Sequence, residues 1–170
     1  MFSRAGRAAL FDRKPFTDAY FDADSAADAA ILVSIVAAVT YIGNLLVNGA
    51  IGLFSFPGLF QVVIAGVVSW LVLGFATWFA ATKLFSSTGR PQTMIALQGL
   101  AVLPLVLELF GQIGGVVGLI WYLAILVVAT REAAAIETRN AAVSVLIGFA
   151  IAVIFRALLG VPFAVFGALF

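Results

Sequence analysis

The chain has 170 residues, 64% hydrophobic and 10% charged, with a mean hydropathy of +1.20 and a net charge of +1. A soluble domain is about 45–50% apolar and about 25% charged, so a soluble fold is excluded, and the near-neutral balance suggests no nucleic-acid partner. Cysteine and histidine are absent, which removes disulfides, thiol chemistry, an imidazole general base and the common transition-metal sites.

Residues 1–24 form the one sizeable polar segment, in which Arg4, Arg7, Arg13 and Lys14 are interleaved with aromatic residues such as Phe16. The pattern predicts one or two short interfacial helices, broken at Pro15, with the basic groups toward lipid phosphates and Phe16 toward lipid. A solvated tail is the alternative reading, because the apolar residues make no clean helical stripe. No apolar core of about 7 to 15 residues follows the first arginines, so the first span is expected to insert as an uncleaved anchor.

Ser25 opens that span, about residues 27–47, and Ser25 with Asp28 has the spacing of a capping box. An uncharged, apolar loop over 48–56 leads to Pro57 and a second span, about 57–82, that stops at Lys83. After a turn-rich stretch, two apolar runs, about 93–110 and 113–130, are joined by only Gly111 and Gln112. Each has about the length needed to cross a hydrocarbon core roughly 30 Å thick, so together they read as an antiparallel membrane hairpin. Pro104 deprives the Leu100 carbonyl of its donor, which predicts a kink. A fifth span covers about 141–160, and Val161 to Phe170 is an apolar tail too short to cross again.

The predicted fold is therefore all-α: a polytopic membrane helix bundle with five transmembrane helices in residues 25–170, preceded by the interfacial segment 1–24. Eight of the nine basic residues (Arg4, Arg7, Arg13, Lys14, Lys83, Arg90, Arg131 and Arg139) fall on one side of such a bundle. The positive-inside bias then places the N-terminus in the cytoplasm and the C-terminus on the other side. Gly111 with Gly115, Gly114 with Gly118, and Ser144 with Gly148 and Ala152 have the four-residue spacing that lets membrane helices approach closely.

Chemistry-bearing residues are few. Asp18, Asp22, Asp24 and Asp28 could hold Mg²⁺ beside a phosphate, but a solvated face explains the cluster as well, and no glycine or arginine pattern of a lipid phosphotransferase surrounds it. Glu108 and Arg156 are the charges placed well inside spans, each 15 residues from its helix start (108 − 93 and 156 − 141), hence at one depth, roughly 22 Å from the inner ends. Two readings follow: an intramembrane charged pair, which lowers the cost of burying each charge, or two side chains that snorkel separately to the headgroups.

Ala101 to Phe110 (AVLPLVLELF), the string from Ile120 (IWYL), the loop Thr130 to Ala141 and the pair Pro15 and Phe16 resemble corresponding parts of prokaryotic Yip-domain proteins, relatives of the eukaryotic Ypt/Rab-interacting membrane proteins. The resemblance implies a five-span protein with a cytoplasmic N-terminus, of a family linked in eukaryotes to Rab GTPases and vesicle traffic. It offers no catalytic residues to carry over, and no cofactor and no metal are expected. The motif of eukaryotic members built on Asp-Leu-Tyr-Gly-Pro has no counterpart, and their long soluble N-terminal region is missing, so a prokaryotic relative in the plasma membrane is expected. The expected function is a non-enzymatic interaction, membrane-organising or trafficking-type role, with membrane lipids and another membrane protein or a second copy as partners. The alternative is a small transporter or ion-conducting protein using Gln98, Glu108 and Arg156.

Overall fold

A chain this apolar has to satisfy its backbone polar groups internally once in lipid, and helices do so within a single segment. The computed structural model describes residues 2–12, 14–20 and 24–167, and every regular element among them is helical. These are α1 (Phe2–Ala9), α2 (Lys14–Tyr20), α3 (Ser25–Val47), α4 (Phe56–Phe85), α5 (Pro91–Leu100), α6 (Gly111–Ala134) and α7 (Thr138–Gly167). Two 3-10 segments, Ile51–Leu53 and Leu103–Phe110, complete the order. The protein is a multi-pass, integral membrane helix bundle.

Four segments, rather than the five expected, are helical runs long and apolar enough to cross: Ser25–Val47, Phe56–Phe85, Pro91–Ala134 and Thr138–Leu158. The difference lies in the third. Its 44 residues would reach about 66 Å as one straight helix, twice the hydrocarbon thickness. Instead it doubles back at Gly111, whose φ of 74° lies in the region glycine enters without steric cost. Gly118 then packs on the Pro104 carbonyl and Gly114 on that of Leu107, while Ser87 Oγ donates to the Ala134 carbonyl at 2.9 Å, so both ends of the run lie together. The first limb is no single α-helix. Pro104 has no N–H to offer Leu100, and the Ala101 and Val102 amides donate three residues back, to Gln98 and Gly99. The predicted kink is thus a change of helix type, from α to 3-10.

Other boundaries also shift. The N-cap of α3 is Asp24 rather than Ser25, and no side-chain cap bond forms. The cap at α4 is Ser55, whose Oγ accepts from the Gly58 amide at 3.1 Å. Helix α7 continues to Gly167 instead of ending near Gly160, since Pro162 removes one donor without stopping an otherwise apolar run.

The N-terminal segment packs on the bundle. Phe16, expected against lipid, is fully buried, as are Ala5 and Ala8, and Trp121 Nε1 donates to the Ala9 carbonyl at 2.9 Å. Pro15 sits in the first turn of α2, where a missing N–H costs little, so it starts a helix instead of breaking one. The break falls before it. Arg7 clasps Asp12 through Nη2 at 2.6 Å, and the other carboxylate oxygen accepts the Lys14 amide at 3.0 Å. Arg7 and Lys14 are exposed and Arg4 is partly buried; Arg13 lies outside the described residues.

Small residues set the helix approaches in the core. Gly148 of α7 abuts Thr77 of α4, Gly99 of α5 faces Ala29 and Trp70, and Gly43 of α3 receives Leu109. Leu32, Leu97, Ile125, Leu126 and Val145 fill the interior between them.

Candidate functional site: a polar-mouthed cavity in the bundle

The 3-10 segment Leu103–Phe110, which contains Pro104, has three residues per turn, so side chains three apart stack on one edge. Val102, Leu105, Glu108 and Gly111 have that spacing, and all four face cavities. An α-helix would rotate each successive member by about 60° and spread them around the surface. The local departure from α-helix therefore aims Glu108.

The inner cavity, of about 320 Å³, lies between α3, α4, the hairpin and α7. Its wall is mostly apolar, from residues such as Val33, Val36, Leu73 and Phe149, with Thr40, Ser69, Tyr122, Glu108 and Arg156 as its polar members. The outer cavity, of about 440 Å³, is lined by Asn44, Asn48, Gln112 and Gly115 among others. Leu105, Glu108 and Leu119 line both, so the two adjoin at the carboxylate.

Asn44 Nδ2 donates to Glu108 Oε1 at 3.0 Å, and Asn48 Nδ2 donates to the Asn44 carbonyl at 2.7 Å. Glu108 and Arg156 both line the inner cavity. No direct Glu108–Arg156 ion pair within 4.0 Å forms among the described residues; the carboxylate takes its hydrogen bond from Asn44. Asn44 as a partner was missed, because an amide in an apolar run carries no mark of direction. The only available signal was its place near the C-terminal end of the first span.

The small residues singled out by spacing divide into two groups. Gly111, Gly114, Gly115 and Gly118 serve the hairpin's own fold, Gly115 lying beside Glu108 Cγ. On α7, Ser144 is buried and donates to the Asn140 carbonyl at 2.9 Å, Gly148 meets Thr77, and Ala152 lines the inner cavity. Deeper in the bundle Gln98 Nε2 donates to Thr130 Oγ1 at 3.1 Å, both side chains being buried.

Of the four aspartates, Asp22 lies outside the described residues, and among the described ones no cluster of three potential metal ligands gathers. Chemically, the arrangement offers a guanidinium and a carboxylate around an apolar space, which suits binding a molecule that carries both charges. Compared with protein-family models, with curated proteins and with solved structures, the chain finds no match in any of the three.

Proposed function

We propose that this chain is a non-enzymatic membrane protein of the Yip type, crossing the bilayer five times with its N-terminus in the cytoplasm, in the plasma membrane of a prokaryote. The observation that carries this reading is the return of Pro91–Ala134 on itself. Ten α residues at about 1.5 Å and eight 3-10 residues at about 2.0 Å give the first limb roughly 31 Å, enough for one crossing. Its 24-residue second limb reaches about 36 Å. Because Ser87 meets Ala134, Lys83, Arg90, Arg131 and Arg139 collect at one end of the bundle. That basic end is the surface offered to another membrane protein or a second copy.

Topology reporters test the crossing number. Fusions after Ser87 and Ala135 should report cytoplasm, and fusions after Gly52 and Phe170 the opposite side; a cytoplasmic report from Phe170 overturns the reading. Photo-crosslinkers at Arg90 and Arg139 should capture one common adduct in native membranes, absent from the lipid-facing Phe75.

A second reading, a small transporter, is favoured by Glu108 and Arg156 facing a cavity that adjoins an outer one. Saturable flux into liposomes that is lost in Glu108→Gln would establish it over the first.

A further inference from the structure

We infer that the two adjoining cavities near Gly111 bind a zwitterionic amine phospholipid, its phosphate on Arg156, its ammonium on Glu108 and one acyl chain in the inner cavity. The inference goes beyond both functional readings and rests only on the chain's place in a membrane.

The argument begins with charge. Glu108 and Arg156 face one mostly apolar space without an ion pair within 4.0 Å, so neither gives its hydrogen bonds to the other. An anionic lipid would answer Arg156 alone and a cationic amphiphile Glu108 alone. A headgroup with both charges answers both. Guanidinium suits phosphate because its planar donors bind two oxygens at once. Glu108 spends Oε1 on Asn44, which leaves Oε2 to accept from an ammonium.

Polarity is also graded along the bundle axis. On α3 the inner wall runs from Val33 to Thr40, and on α7 from Phe149 to Arg156, seven residues in each case, or about 10 Å. Thr40 and Arg156 close the two stretches while Val33, Val36, Phe149 and Val153 line the rest, so each runs from apolar to polar, as an amphiphile does. Beyond Glu108 the outer cavity carries the amides of Asn44, Asn48 and Gln112, which can hydrogen-bond a headgroup. The inner volume of about 320 Å³ is within the range of roughly 300–1,000 Å³ in which proteins hold small ligands. Both charged side chains are exposed, so the site opens to the leaflet beside it.

Native mass spectrometry of the full chain tests this. The protein is released from mixed micelles holding equal amounts of ethanolamine- and glycerol-headgroup phospholipids with identical acyl chains. One ethanolamine lipid should be retained about tenfold over the glycerol lipid, the effect of one charge-assisted hydrogen bond. Glu108→Gln should abolish that preference while the glycerol lipid still binds, and Arg156→Gln should weaken both. Val36→Trp, which fills the inner cavity away from the charges, should reduce retention of both lipids alike. Soluble phosphoethanolamine at millimolar concentration should displace neither. Equal retention of the two lipids by the unaltered protein, with only water answering the charges, overturns the proposal whether or not the variants fold. So does an unchanged preference in folded Glu108→Gln, and displacement by phosphoethanolamine would assign the site to a soluble zwitterion instead.

Discussion

Asn44 and Glu108, 64 residues apart in the chain, share a hydrogen bond of 3.0 Å between an amide and a carboxylate. The bond ties the C-terminal part of α3 to the first limb of the hairpin and fixes one oxygen of the carboxylate. The bond is exposed, so Asn44→Ala should cost about 0.5–1.5 kcal/mol in detergent. In a double-mutant cycle Asn44 and Glu108 should couple by about 0.5 kcal/mol or more, whereas Glu108→Gln and Arg156→Gln in delipidated protein should add within about 0.3–0.5 kcal/mol. Coupling between the last two without lipid would show that the side chains meet directly.

Gly148 has no room to grow. A side chain there would run into the hydroxyl and backbone of Thr77, so Gly148→Val should separate α4 from α7 and cost about 1–3 kcal/mol. Gly6, where an added β-carbon would meet nothing within 4 Å, is the control: Gly6→Ala should be neutral or stabilising by up to about 1 kcal/mol. Thermal unfolding of both variants in one detergent makes the comparison.

Ala135 ends α6 with φ of 52°, a left-handed conformation that suits glycine. Ala135→Gly should raise stability by about 0.5–1 kcal/mol, because the native backbone is kept and the β-carbon clash is removed. A lower melting temperature would show that the loop conformation differs from this one.

The Asp12 carboxyl is held below the ordinary value of 3.8, first by the Lys14 amide and then by the Arg7 guanidinium. A carboxyl depressed in the folded protein stabilises it above the unfolded value, and that contribution is lost as pH falls through the folded one. The turn between α1 and α2 should thus persist at pH 4 and loosen only below 3.8. The Lys14 amide resonance should titrate with a midpoint under that value, and Asp12→Asn should abolish the titration.

Much of this architecture is legible in the residues. The apolar runs mark the membrane segments, and the short Gly111–Gln112 link between two of them requires a return. Glu108 and Arg156, marked out as charges inside apolar runs, line one cavity. Other features are set by tertiary contacts that leave no periodic trace. Phe16 reads as lipid-facing beside its basic neighbours, yet it is buried because α2 packs on the hairpin. Pro104 signals a disturbance but not its form, and the eight-residue 3-10 segment that contains it decides where Glu108 points. The Asn44 amide is indistinguishable by sequence from a polar residue at a membrane boundary.

The bond from Trp121 to Ala9 joins residues 112 positions apart, and it implies an order of assembly. Residues 2–20 leave the ribosome before residues 91–134, so their docking site is completed only when the hairpin has been made. Until then α1 and α2 have chiefly each other to pack on. Domains generally form in the order of synthesis, whereas this segment must settle late. Trp121→Phe, which keeps the ring and removes the donor, should leave the membrane-inserted bundle intact while making residues 2–20 the first site cut by a protease.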